Sequence, residues 1–91
     1  MYIFAKRGRN LTPTLPLTGI LLASDMDGTL LDSRKRLSQA NQSALENFVA
    51  AGGWFTVATG RMETSVKRYL PVLPLNAPAI LYNGAVIYDF T

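Results

Sequence analysis

Two aspartates separated by a single residue, Asp25 and Asp27, are followed at once by Gly28 and Thr29. If extended backbone persists through the pair, the i, i+2 spacing turns both carboxylates to the same side. Two anions so close repel each other, so the arrangement makes sense with a Mg²⁺ ion to offset the charge or with a proton held on one member. Gly28 permits a tight turn that aims backbone N–H groups at a phosphate, and the Thr29 hydroxyl offers a further hydrogen bond. A second polar cluster, Thr59-Gly60-Arg61, brings another hydroxyl and another glycine amide. Together these residue types suggest phosphoryl transfer to a carboxylate nucleophile. In isolation, Asp-x-Asp-Gly is ordinary turn chemistry. Here it follows an apolar run, precedes Thr29-Leu30-Leu31 and is answered by a Thr-Gly turn one β-α unit later.

The composition narrows the alternatives. The 91 residues contain no cysteine and no histidine, which excludes Ser-His-Asp and Cys-His nucleophile systems, thiolate or imidazole zinc sites and disulfides. Any metal must be a hard ion held by oxygen, and the chain has only six carboxylates from which to supply it. The net charge is +3, and the longest clean apolar stretch, Ile20 to Ala23, is far below the ~20 residues of a membrane-spanning helix. No apolar segment followed by a small-residue cleavage site opens the chain, so it reads as soluble, unsecreted and cytoplasmic.

The elements that must position these residues can be placed by pattern. Residues 1–18 mix Lys6, Arg7 and Arg9 with Pro13 and Pro16 and lack a period, so they read as a basic, proline-containing extension apart from the core. Residues 19–91 read as one α/β unit. Ile20-Leu21-Leu22-Ala23 predicts a buried strand running into the Asp25–Thr29 turn. Ser38 is the predicted N-cap of a helix whose apolar face is Ala40, Ala44, Leu45, Phe48 and Val49, and Gly52-Gly53 its stop. Trp54 to Ala58 predicts a second strand, Glu63 to Leu70 a second helix closed by Pro71, and Ala79 to Tyr82 a third strand. Asn83-Gly84 then turns the chain into a short strand, Val86 to Tyr88. This β-α-β-α-β order predicts three parallel strands in one sheet with both polar turns at its C-terminal edge, where ligands bind in open α/β sheets.

At these residues the chain resembles a known family. Asp25-Met26-Asp27-Gly28-Thr29-Leu30-Leu31 is similar to the first motif of the haloacid dehalogenase superfamily, and Ala58-Thr59-Gly60-Arg61 to the second. Leu81-Tyr82-Asn83-Gly84-Ala85 resembles the Cof-like capped subgroup, mostly Mg²⁺-dependent phosphatases of sugar phosphates and related small phosphoesters. The resemblance implies a Rossmann-like core and an aspartyl-phosphate intermediate. Asp25 would be the nucleophile and a Mg²⁺ ligand; Asp27 would be the acid/base and ligate the metal through its main-chain carbonyl. Gly28, Thr29, Thr59 and Gly60 would hold the transferring phosphoryl group. Asn83 and Gly84 lie near the boundary with a cap domain in that family, so Asn83 and, more weakly, Arg61 are expected to touch substrate. A sugar phosphomutase of the same superfamily shares the first motif and is the alternative within the enzymes.

The family pattern continues with a lysine and further acidic residues for Mg²⁺, then with a cap and more core strands. This chain stops before them. Lys67 and Asp89 stand at the wrong places to substitute, so the expectation is a truncated phosphatase with an incomplete core: three parallel strands, two helices and the start of a cap hairpin. Its unpaired sheet edges suggest a non-catalytic fragment or a subunit completed by a partner chain or oligomer as the rival reading. The run Arg34-Lys35-Arg36 is not interleaved with aromatic residues and reads as solvated surface, not a nucleic-acid patch; the resemblance places this loop beside the active-site entrance, where its positive charge could steer phosphorylated substrates. Trp54, Phe55, Phe48 and Tyr69 read as core.

Overall fold

The computed structural model describes residues 2–5 and 15–91; the rest of the basic extension lies outside them. Within that extension Tyr2–Ala5 forms strand β1 and pairs antiparallel with β2 (Ile20–Ser24), from Tyr2 opposite Ala23 to Ala5 opposite Ile20. This corrects the expectation of an extension wholly apart from the core. Tyr-Ile-Phe-Ala is rich in strand-forming residues, and the free edge of β2 is a template for it. The prolines that argued against structure stand elsewhere in the segment and have no bearing on a four-residue strand.

Helix α1 (Gln39–Ala50) begins where its cap predicts. The Ser38 Oγ accepts a hydrogen bond from the Asn41 N–H at 3.1 Å, satisfying one of the free donors of the first turn. At its end Gly52 takes the left-handed conformation, φ +97°, and the Gly53 N–H reaches back to the Phe48 carbonyl at 3.1 Å. Strand β3 (Trp54–Val57) then runs parallel to β2, with Leu21 opposite Trp54 and Ser24 opposite Val57. Helix α2 (Glu63–Lys67) is shorter than the predicted Glu63 to Leu70. Pro71 disfavours helical backbone at Leu70, and the chain tightens instead into turns in which Tyr69 N–H bonds the Val66 carbonyl and Leu70 N–H that of Lys67. Strands β4 (Ala79–Leu81) and β5 (Val86–Tyr88) form an antiparallel hairpin around a tight turn at Tyr82–Gly84.

The three parallel strands are less uniform than predicted. Strand β4 meets β3 through a single parallel bridge, Ala58 to Ile80. Farther along, the Asn76 side chain takes the place of a neighbouring strand: its Oδ1 accepts from the Phe55 N–H at 2.6 Å and its Nδ2 donates to the Gly53 carbonyl at 3.1 Å. Leu22, Phe55 and Val57 of the sheet pack with Leu45 of α1 and Val66 of α2 in one core. Two successive crossovers in the same direction put both helices on one face of the sheet. On the other face Trp54 is 51% exposed, against the expectation that it is core. Strand alternation puts it there, because buried Phe55 next to it takes the helix side; Thr56 and Ala23 on the same face are covered where Trp54 is not.

Candidate active site

The site is assembled by main-chain hydrogen bonds that run from one loop to the next. The Ala58 N–H donates to the Ser24 carbonyl at 2.9 Å, which sets the second polar loop beside the end of β2. The Thr59 N–H donates to the Ile80 carbonyl at 2.9 Å, and the Asn83 and Tyr82 N–H groups return to the carbonyls of Thr59 and Arg61 at 3.1 and 3.2 Å. Tyr82 and Asn83 both hold positive φ, +51° and +55°, an uncommon conformation for two adjacent residues with side chains. Those two bonds, with a third from the Tyr82 hydroxyl to Glu63 Oε2 at 2.9 Å, maintain it.

The result is a cavity of about 260 Å³ lined by Asp25, Ala58, Thr59, Gly60, Ile80, Asn83 and Gly84. Residues from all three predicted loops meet there. The Asp25 carboxylate makes no ion pair or hydrogen bond among the described residues, so it is free to act. Thr59 is buried, and its Oγ1 accepts from the Arg61 N–H at 3.1 Å, which leaves its own hydrogen to donate. A side chain at Gly60 would bring its Cβ within 3.0 Å of Asn83 Oδ1, so glycine is what allows the two loops to approach. Ala58 and Ile80 alternate with buried Val57, Ala79 and Leu81, so the cavity opens toward the helix-free side of the sheet.

The other predicted residues lie nearby but not in the lining. Met26 is buried between Asp25 and Asp27, and both carboxylates are exposed, as alternation across the pair requires. Gly28 makes the turn with φ +78°, and Thr29 is exposed beyond it. Asp27 is bound by two cations: Arg61 Nε and Nη2 each donate at 2.8 Å and Lys35 Nζ at 2.9 Å. These hydrogen bonds, Arg61 first and Lys35 second, hold the Asp27 carboxyl well below the usual carboxylate range. The two aspartates of one motif thus stand in opposite surroundings, one open and one clamped.

Lys35 is exposed, as the reading of its run as surface has it, but its ammonium pairs with Asp27, a contact the sequence reading did not place. All three residues of the run lie at the surface, and Asp32 folds the segment back: its Oδ1 accepts from the N–H groups of Arg34 and Arg36 at 2.8 and 3.0 Å. Lys35 at the crest of this turn, φ +61°, is delivered to Asp27. The sequence signal was the Asp-Ser-Arg-Lys turn itself; nothing in it names Asp27 as the partner.

Fold and site together define an α/β core with an open cavity of about 260 Å³ at the C-terminal edge of its parallel strands. The chain belongs to the haloacid dehalogenase-like hydrolases, whose family model matches residues 22–91. It is 35% identical over 74 residues to the pyridoxal phosphate phosphatase YbhA of Escherichia coli, an alignment covering 81% of this chain and 27% of that protein. It is 40% identical over 68 residues to the 5-amino-6-(5-phospho-D-ribitylamino)uracil phosphatase YwtE of Bacillus subtilis, covering 75% and 23%. Among solved structures, a haloacid dehalogenase-like hydrolase from B. subtilis superposes with a TM-score of 0.67 at 39% identity, covering 76% of this chain and 24% of that one. The chain spans about a quarter of the length of the curated relatives it matches. No helix among the described residues is long and apolar enough to cross a membrane.

Proposed function

We propose that this chain is the front part of a Mg²⁺-dependent phosphatase of sugar phosphates or similar small phosphorylated metabolites, acting in the cytoplasm through an aspartyl-phosphate. The observation that supports it best is that Asp25, unpaired among the described residues, lines one cavity together with Thr59 and Gly60. The relatives named above are phosphatases of small phosphorylated compounds, which favours the same substrate class. In this reading Asp25 attacks phosphorus and the P–O bond to the leaving alkoxide breaks, and Asp27, once freed from Arg61 and Lys35 and protonated from solvent, gives that oxygen its proton. Asp27 then takes a proton from the water that cleaves the aspartyl-phosphate. Thr59 and Gly60 hold the phosphoryl oxygens through the transfer, and Asn83 touches the remainder of the substrate.

The donor set suits a hard cation. The Asp25 carboxylate and the Asp27 main-chain carbonyl would hold Mg²⁺, which often keeps waters and substrate oxygens beside one or two carboxylates, and which when bound neutralises phosphoryl charge. Among the described residues no group of three acidic side chains gathers there, so the remaining ligands come from substrate, water or the rest of a longer protein. The cavity's opening toward the bare face of the sheet supports a second element of the proposal: the part of the relatives that this chain lacks, or a partner chain supplying it, closes the site.

Phosphate release from p-nitrophenyl phosphate, measured with the chain joined to or mixed with the complementary portion of a relative, tests the reading. We expect Mg²⁺-dependent release that falls by at least about 10³-fold in Asp25→Asn, as for loss of a nucleophile. Activity retained in Asp25→Asn removes Asp25 from that role.

A further inference from the structure

Asp27, Arg61, Tyr69 and Lys35 close a ring. The Arg61 fork sets two parallel N–H donors, Nε and Nη2, on the two oxygens of Asp27. Behind the fork, Arg61 Nη1 donates to Ser65 Oγ at 2.6 Å and the guanidinium stands 5.3 Å from the centre of the Tyr69 ring. The Tyr69 hydroxyl donates to the Lys35 carbonyl at 2.8 Å and so anchors the turn that presents the Lys35 ammonium. The Arg61 side chain is 20% exposed, against 40% for Asp27 and 58% for Lys35. Arg61 is therefore fixed by contacts that do not involve Asp27, while the Asp27 carboxylate is held by the two cations alone.

Two cations facing one carboxylate leave a net positive charge, in a fork already shaped for a planar oxyanion. The fork does not line the phosphoryl cavity, but both its members follow residues that do: Arg61 comes directly after Gly60, and Asp27 two residues after Asp25. We infer that Arg61 and Lys35 form a second anion seat, which takes a carboxylate or second phosphate group of the substrate and displaces the Asp27 carboxylate that fills it in the free chain. The inference rests on the phosphoryl-site reading above. It deepens that reading by naming the substrate class, phosphoesters with a second anionic group, and by linking arrival of that group to release of the acid/base.

The test is a titration of the 91-residue chain in metal-free, chelator-containing buffer with methyl phosphate, phosphoglycolate and pyrophosphate, following the Thr59 and Gly60 amide signals by nuclear magnetic resonance. The doubly anionic probes should bind about tenfold more tightly than methyl phosphate, the scale of one charge-assisted hydrogen bond. Lys35→Met should bring the preference to about twofold or less, whereas Lys67→Met, which removes the same charge from an exposed position outside the ring, should preserve it. A preference confined to phosphoglycolate or to pyrophosphate supports the seat and names its oxyanion. Equal affinities in the unaltered chain, or equal loss in both lysine variants, overturns the seat and leaves the phosphoryl site standing. Failure of every probe to move Thr59 and Gly60 overturns both.

Discussion

The two faces of the sheet are finished to different degrees. On the helix face Leu22, Phe55 and Val57 are buried beneath Leu45 and Val66. On the opposite face Ala23 and Thr56 are buried, but Trp54 is half exposed and Leu21 only partly covered, although all four lie on the same strands. The packed face holds β2 and β3 in register and so sets the two polar loops at their ends. The cavity opens onto the other, less evenly covered face.

The largest expected effect comes from attacking the packed face. Phe55→Ala should cost about 3–5 kcal/mol, comparable to the whole stability of a small domain, and so abolish cooperative unfolding by circular dichroism. Trp54→Ala, one residue away, should cost less, about 2 kcal/mol, because half its surface already meets water. Equal losses would show the faces to be equally built. Next, Asn76→Ala removes the side chain that stands in for a strand beside β3 and strands the Phe55 amide. A loss of about 1–3 kcal/mol in urea denaturation is expected, and a neutral result would mean that water replaces it without penalty.

The smallest effect concerns the clamp. The folded-state pKa of Asp27 is depressed, so its contribution to stability is present above the unfolded value near 3.8 and is lost as pH falls through the folded value. With its side chain 40% exposed, solvent screening limits that contribution to about 1 kcal/mol or less. The difference in urea midpoint between the chain and Asp27→Asn should therefore be small at neutral pH and shrink toward zero in strong acid. A difference that grows on acidification contradicts the clamp.

How much of this was legible in advance depends on the range of the interaction. The Ser38 cap, the Gly52-Gly53 stop, the Val86 to Tyr88 strand and the two polar turns follow from neighbours a few residues apart, and the structure has each of them. The end of α2 was misjudged because the reading placed Pro71 after the helix without giving its effect on Leu70. Trp54 was misjudged because aromatic type was weighed above strand parity. Strand β1 was missed because a four-residue edge strand has no pattern of its own until β2 offers it a partner.

By itself the sequence determined the chemistry available: carboxylates, hydroxyls and glycine amides at strand ends, with no imidazole or thiol to offer any other course. It also determined the β-α-β order, since periodicity and capping are local. Only the tertiary structure decided that Asp25 stands open while Asp27 is clamped. That difference depends on Arg61, 34 residues away, and on Lys35, brought in by a turn anchored to Tyr69, which lies a further 34 residues along. Contacts at such separations arise from the packing of whole elements, and no short window of sequence contains them.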